Sequence, residues 1–344
     1  MFPQKKNLIF KINSIETLLF PDLQLPEKMS KRQKLSFLQF EGLPDEILLK
    51  IVSLLDINGV LQCGQVSTRL RAISNDQSLW LKLNLTGRKV PYGLIEKAIQ
   101  NGCEYLHLDL SCVHGGTKSE EPWKLKYLEI SQSGHRLAQK MPEGILENCQ
   151  YLQKLLLNNL ILNTHDIEQI CQNGETLQIL SLERCDIYYP QRTELIPKLI
   201  SKCPLLTELN MNMSNRTHIN GNKFLLDQQL CALVDNLTPN ILKLQFGSQI
   251  FLQDHHVDAL VQRCIKITEL NLYDTSITND SVSIVRNLKF LEKLNVGRNN
   301  ISFPTLLELK SIPTLKILNC SSHYDPDFEI IENLKLQLPH ITIN

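Results

Sequence analysis

One hexapeptide theme, leucine-x-x-leucine-x-leucine, recurs from the middle of this chain to its end and restricts what the chain can fold into. It reads LKYLEI at 125–130, LQKLLL at 152–157, LQILSL at 177–182, LTELNM at 206–211, ILKLQF at 241–246, ITELNL at 267–272, LEKLNV at 291–296 and LKILNC at 315–320. Counted at the second leucine from Leu128, the steps are 27, 25, 29, 35, 26, 24 and 24 residues. Such a period is too short for an independent domain and too regular for chance. It describes a solenoid whose unit is one strand and one helix.

Between the strands lie amphipathic segments such as MPEGILENC, THDIEQICQN, DQQLCALVDN, DHHVDALVQRC and TNDSVSIVRN. A unit of this size cannot bury its apolar face alone, so the units must stack. The expected fold is α/β: a leucine-rich-repeat horseshoe spanning 105–344, about ten repeats, with parallel strands on the concave face and helices on the convex face. Degenerate copies at Tyr105–Leu110 and Leu338–Ile343 close its ends, and 86–104 is a linker.

In a strand of this pattern the residues beside the leucines point into the concave face. The column after the second leucine runs Glu129, Leu156, Ser181, Asn210, Gln245, Asn271, Asn295, Asn319, with a carboxamide in each of the last five. Stacked amides can bond one another in a ladder or bind a ligand, and both uses stay open. The preceding column alternates in sign from Glu208 through Lys243 and Glu269 to Lys293, which suits pairing across strands. Tyr273, Asp274 and Arg298 fall just past the strands, where loops meet a partner. Asn210, Gln245, Asn271, Tyr273, Asp274, Asn295, Arg298 and Asn319 are therefore the candidate binding residues. The long step of 35 carries a polar loop, SNRTHINGN (214–222), which is an insertion or a binding element.

Thirty-six basic and thirty-six acidic residues cancel, so no global field favours nucleic acid or a membrane. No apolar run is long enough for a membrane span or a signal-peptide core. Ten cysteines without a secretory signal point to a reducing compartment. Cys149, Cys203 and Cys264 each stand six residues before the second leucine of a repeat, the mark of a packing position. With no close Cys-x-x-Cys pair, no metal set is expected. Zinc-protease, phosphate-loop and nucleophile-elbow motifs are missing too, so neither catalysis nor a cofactor is expected.

The N-terminal part has a different grammar. Residues 1–38 hold seven basic and three acidic residues and three prolines, and read as a disordered basic arm. KMSKRQK at 28–34 is a candidate nuclear-import run, consistent with a protein of nucleus and cytoplasm. From 39 to 85 the pattern gives three short helices. Pro44 fits the first helical position, and Ile47, Leu48, Ile51, Leu54 and Leu55 share a stripe. Asp56–Gly59 forms a turn before a second helix, Val60–Val66, and Ser67 caps a third, Thr68–Ser74. Leu79 and Trp80 follow. So short a segment carries more apolar surface than it can bury alone, and needs a partner.

The opening Leu43–Glu46, the spacing to Val66 and Arg69, and the Leu79-Trp80 close resemble an F-box, with Ser67 and Leu70 where many F-boxes have Cys and Trp. The resemblance implies docking on the adaptor S-phase kinase-associated protein 1, and through it on a cullin-RING ubiquitin ligase. The residues implied are Leu43, Pro44, Ile47, Leu48, Ile51, Leu55, Leu61, Val66, Arg69 and Trp80. The order of arm, F-box, linker and repeats is similar to the F-box leucine-rich-repeat family, with NDQSLWLKLNLTG (75–87) and VQRCIKITELNLYDTSITND (261–280) the most specific stretches. That family implies a non-catalytic substrate receptor of an SCF-type ligase. It presents phosphorylated cell-cycle regulators with help from a cyclin-dependent-kinase regulatory subunit. Asp274 and Arg298 match positions used for this, whereas Met213 and Ile250 replace a family tryptophan and arginine. The competing expectation is a non-ligase repeat scaffold whose helical segment is only a solenoid cap, with Leu43, Pro44, Ile47 and Ile51 buried.

Overall fold

The computed structural model describes residues 42–344 apart from 88–89, 110–112, 115–121, 133–138, 143, 188–194, 214–224 and 322–327. The basic arm, KMSKRQK and the SNRTHINGN loop lie outside the described residues. The chain divides into two compact units, Met1–Lys82 with Lys97–Cys103, and Leu83–Glu96 with Glu104–Asn344.

The first unit holds helices α1 (Asp45–Ser53), α2 (Ile57–Cys63), α3 (Thr68–Ser74) and α4 (Gln77–Trp80). Pro44 stands one residue earlier than expected, at the N-cap of α1, where its carbonyl accepts from the Ile47 and Leu48 amides, each at 3.1 Å. α1 buries Leu48, Ile51 and Val52 and turns Leu54 outward, 55% exposed, so the inward stripe is narrower than the leucines suggested. α2 begins three residues before the expected start. Asp56 is its cap, not part of a turn: the carboxylate accepts from the Gly59 amide at 3.0 Å and satisfies an orphan N–H of the first turn. Ser67 caps α3 as expected, accepting from Leu70 N at 3.1 Å. Asp76 caps the fourth, unexpected helix through Ser78 N at 2.9 Å.

An eleven-stranded ribbon runs in chain order from Lys82–Asn84 to Thr342–Ile343, and from Tyr105–Asp109 onward its strands pair in parallel. Its register is set by one continuous row: Leu106, Leu128, Leu155, Leu180, Leu209, Leu244, Leu270, Leu294, Leu318 and Ile343. Every member of the row is buried, and each contributes roughly 1.5–3 kcal/mol of transfer free energy. Helices including Thr164–Gln172, Leu195–Ser201, Asp227–Asn236, Asp254–Arg263 and Asn279–Val285 cover the other side of the row. Strands stack about 4.8 Å apart while helices are about 10 Å across, so such a unit curves toward its strands.

Two expectations need correction. MPEGILENC does not form an α-helix; a single 3-10 turn, Leu146–Asn148, takes its place. The stretch 86–104 is no plain linker, since it contains a helix, Tyr92–Gln100. The in-phase cysteines are packing groups: buried Cys149 and Cys203 donate to the carbonyls of Ile145 and Leu199 at 3.3 and 3.2 Å. Burial pushes the Cys203 thiol up to about 12 and Cys264 up to about 11, leaving both inert.

Candidate protein-binding faces

Each strand of the later repeats shows the same alternation: the central leucine is buried and the residues on either side are half-buried or exposed. Asn210, Gln245, Asn271, Asn295 and Asn319 thus share one face. They do not simply ladder with one another. Asn210, Asn271 and Asn295 each accept, through Oδ1, the amide two residues ahead: Asn212 at 3.0 Å, Tyr273 at 3.0 Å and Gly297 at 3.2 Å. The NH₂ groups of two of them bond to neighbouring side chains, Asn210 to Glu183 at 3.2 Å and Asn271 to Asn212 at 3.3 Å. Asn319 accepts from the side chain of Asn344 at 2.9 Å.

In five repeats, with or without a carboxamide turn, a left-handed residue stands four places after the central leucine. Asn159, Arg184, Ser248, Asp274 and Arg298 occupy that phase with φ between 55° and 61°. Their amides donate to the next repeat, Asp274 to Gly297 O and Arg298 to Ser321 O, both at 2.9 Å. Asp274 and Arg298 are therefore held by backbone geometry. The exposed Arg298 guanidinium lies 5.4 Å from the ring centre of half-buried Tyr273, while Asp274 meets Ser248 Oγ at 3.4 Å. Exposed Ile250 and half-exposed Met213 lie in the corresponding turns of earlier repeats.

The charged column pairs across strands, Lys243 with Glu208 at 3.0 Å and Lys293 with Glu269 at 2.9 Å. The Glu208 carboxylate raises the Lys243 pKa. Paired in this way, these lysines make the middle of the face polar but not cationic. A second cluster escaped the sequence reading. Tyr105 and Tyr127 stack with centres 6.0 Å apart, Lys154 caps the Tyr127 ring at 5.2 Å, and the Tyr127 hydroxyl donates to Glu129. Burial, then the Glu129 carboxylate, raises the phenol pKa. Only the register of three strands could have joined these residues.

The four-helix unit separates its apolar residues into two sets. Leu48, Ile51 and Trp80 are interior, and Trp80 Nε1 donates to Ser74 O at 2.7 Å; the expectation that these three touch a partner is corrected, because they hold the unit together. Pro44 and Val66 are exposed, and Leu43, Ile47, Leu55 and Leu61 are partly exposed. Arg69 also works within the chain: Nη2 reaches Leu43 O and Asp45 Oδ1, both at 2.5 Å, and Nε reaches Asp45 Oδ1 at 2.8 Å. It fastens the Leu43-Pro44 entry against α3.

A capped helical unit with exposed apolar residues, followed by a repeat sheet with an ordered polar face, defines a two-module class of a short helical module joined to a leucine-rich-repeat solenoid. An F-box-like family model matches residues 40–86, and the model of the SKP2 LRR domain matches 93–344. The chain belongs to the F-box leucine-rich-repeat family, close to SKP2. Among solved structures, an internalin from Listeria monocytogenes is similar over 72% of this chain and 68% of its own, with 17% identity and a TM-score of 0.45. The F-box implies the adaptor S-phase kinase-associated protein 1 as partner, and together with SKP2-type repeats it supports substrate recognition in an SCF complex. Proteins of this kind are typically non-catalytic receptors.

Proposed function

We propose that this chain is the substrate-recognition subunit of a cullin-RING ligase whose substrate is a phosphorylated cell-cycle regulator held on the sheet face of the repeats. The observation that carries the docking half is the crest of the four-helix unit. Pro44 and Val66 stay at the surface, and the latter is 43% exposed, while the residues behind them are buried. An apolar crest left in water favours a partner. The scaffold reading expected Leu43, Pro44, Ile47 and Ile51 all to be buried, and only Ile51 is.

Catalysis here is by proximity: the ligase holds the ubiquitin carrier, the repeats hold the substrate, and a substrate lysine meets the thioester at high effective concentration. Arg298 is the cation offered to a phosphate or acidic side chain, with Tyr273 bracing it. A cyclin-dependent-kinase regulatory subunit on the same face is part of this reading, with Asp274 beside Arg298 as its contact. The protein works in nucleus and cytoplasm, on the strength of KMSKRQK.

The test is co-expression with the adaptor, followed by size-exclusion chromatography. Wild type should elute as a one-to-one complex and Leu43→Ala/Pro44→Ala should not. Two soluble, non-binding monomers would end the ligase reading. Equal binding of phosphorylated and dephosphorylated substrate would end the phosphate reading alone.

A further inference from the structure

The helices Asp227–Asn236 and Asp254–Arg263 belong to adjacent repeats and bring Asp227, Cys231, His255 and His256 together on the helix side of the solenoid. Their donor atoms all lie within 4.8 Å of one another. The sequence reading expected no metal set, because it found no close Cys-x-x-Cys pair, and these four residues sit in two segments a full repeat apart. Helical geometry closes that gap, since Asp227 and Cys231 are one turn apart on the same face.

From this geometry we infer that Asp227, Cys231 and His255 bind a divalent transition metal of the zinc class, with His256 orienting the carboxylate. His255 Nε2 is 3.0 Å from Asp227 Oδ1 and 3.9 Å from Cys231 Sγ. Ligands about 2.0–2.3 Å from a tetrahedral zinc stand about 3.3–3.7 Å from one another, so the trio brackets an ion with small side-chain adjustments. One sulfur, one imidazole nitrogen and one carboxylate oxygen suit zinc or cobalt, and the thiol argues against calcium or magnesium.

His256 has a different task. Its Nδ1 accepts from the Gln253 amide at 3.1 Å, which places the ring proton on Nε2, 3.2 Å from Asp227 O and 3.3 Å from Asp227 Oδ1. A ring whose Nε2 carries the proton is not a ligand through that atom. Buried as it is, at 1% exposure, it holds the carboxylate from behind, as outer hydrogen-bond partners do at metal sites. Asp227 and His255 are more than half exposed, so an ion can enter from solvent and keep a water at its fourth position.

A thiol binds such an ion only after giving up its proton. Metal binding releases that proton to solvent and leaves thiolate and carboxylate balancing a dication. The ion would clamp two neighbouring repeats on the face opposite the strands.

The experiment is a cobalt titration of the chelator-stripped full-length chain, followed by absorbance. A one-to-one thiolate-to-cobalt charge-transfer band, bleached by zinc, is expected. Cys231→Ser should lose the band, and His255→Ala should weaken cobalt binding at least about tenfold. Cys171→Ser, two repeats earlier on the Thr164–Gln172 helix, should change neither. Circular dichroism checks that each variant is folded. A second readout is thermal unfolding, which zinc should raise in the wild type and leave unmoved in Cys231→Ser. No band in the wild type, or a band that survives Cys231→Ser undiminished, overturns the site.

Discussion

The first and second halves of the repeat unit obey the same leucine row but end their strands differently. Tyr105–Asp109, Tyr127–Ser131, Lys154–Asn158 and Ile179–Glu183 run five residues, and from Glu208–Asn210 to Ile317–Asn319 the strands stop at three. In three of the short strands the residue after the central leucine takes part in this. Where it is Glu129, Leu156 or Ser181, pairing continues to Asn158 and Glu183, and a small outer sheet of Gln139–Lys140, Leu160–Leu162 and Asp186–Ile187 forms beyond. Where it is Asn210, Asn271 or Asn295, the side-chain carbonyl takes the amide two residues on, which a continuing strand would have given to its neighbour. One side-chain carbonyl thus replaces a rung of the ladder and turns the chain toward the binding face.

The largest expected effect tests how tightly the early repeats close. A Cβ on Gly174 would lie 2.3 Å from Lys202 O and 2.8 Å from its carbon, both backbone of the next repeat. Gly174→Ala should therefore cost about 3 kcal/mol, read as a drop in the urea midpoint. At Gly297, in the late half, a Cβ meets Ser321 O at 3.0 Å and Tyr273 Cδ2 at 3.3 Å, so Gly297→Ala should cost about 1 kcal/mol. Equal costs would mean that the halves do not differ in closeness.

Acid should loosen the late half first. Burial lowers the pKa of His256 below its ordinary 6.5, and its unfolded form binds the proton more readily. Its contribution is whole above about pH 6.5 and is lost as pH falls through the folded value. Burial tends to raise Asp254, but bonds from Ser281 and Thr278 outweigh it and the net pKa is lowered from 3.8, so this contribution too is lost on further acidification. Hydrogen exchange at pH 5 against pH 7 should show the Asp254–Arg263 helix opening before Thr164–Gln172, which a capping box of Asn163 and Asp166 holds. Uniform opening would contradict it.

Asn271→Leu asks the comparison directly, by giving a late repeat the leucine that stands at 156. The Tyr273 amide should lose exchange protection, and stability should fall by about 1 kcal/mol. Retained protection would mean that the strand had simply lengthened.

How much of this could be read from the chain follows the range of each interaction. The leucine row was legible because it recurs at a repeat period, and the Ser67 cap because it depends on a neighbour three residues on. The start of α2 was misread because Asp56 suits both a turn and a cap, and only the Gly59 amide decides. Trp80 looked like a surface anchor beside polar residues, yet its indole turns inward to Ser74 O. The carboxamide column was legible as a shared face; its turn-forming role was not, since the choice between ladder and turn lies in side-chain torsions. The Asp227–His255 cluster and the Tyr105–Tyr127–Lys154 patch join residues a whole repeat apart, visible only once the register is known.

The smallest effect concerns the left-handed residue that both halves keep. Arg184, with φ 56°, and Arg298, with φ 58°, occupy a conformation that costs a branched backbone roughly 1 kcal/mol and glycine almost nothing. Glycine also gives the unfolded chain more freedom, which takes back part of the gain. At 184 the side chain makes, among the described residues, an exposed contact to Glu183 at 3.6 Å, so Arg184→Gly should stabilise by about 0.5 kcal/mol. At 298 the guanidinium sits over Tyr273, worth about 0.5–1 kcal/mol, so Arg298→Gly should come out near zero or slightly negative. The backbone term is shared, and the difference between the two variants therefore isolates the cation on the ring. If Arg298→Gly stabilises as much as Arg184→Gly, the Tyr273 contact contributes nothing to the free chain, and the arginine is kept there for a partner alone.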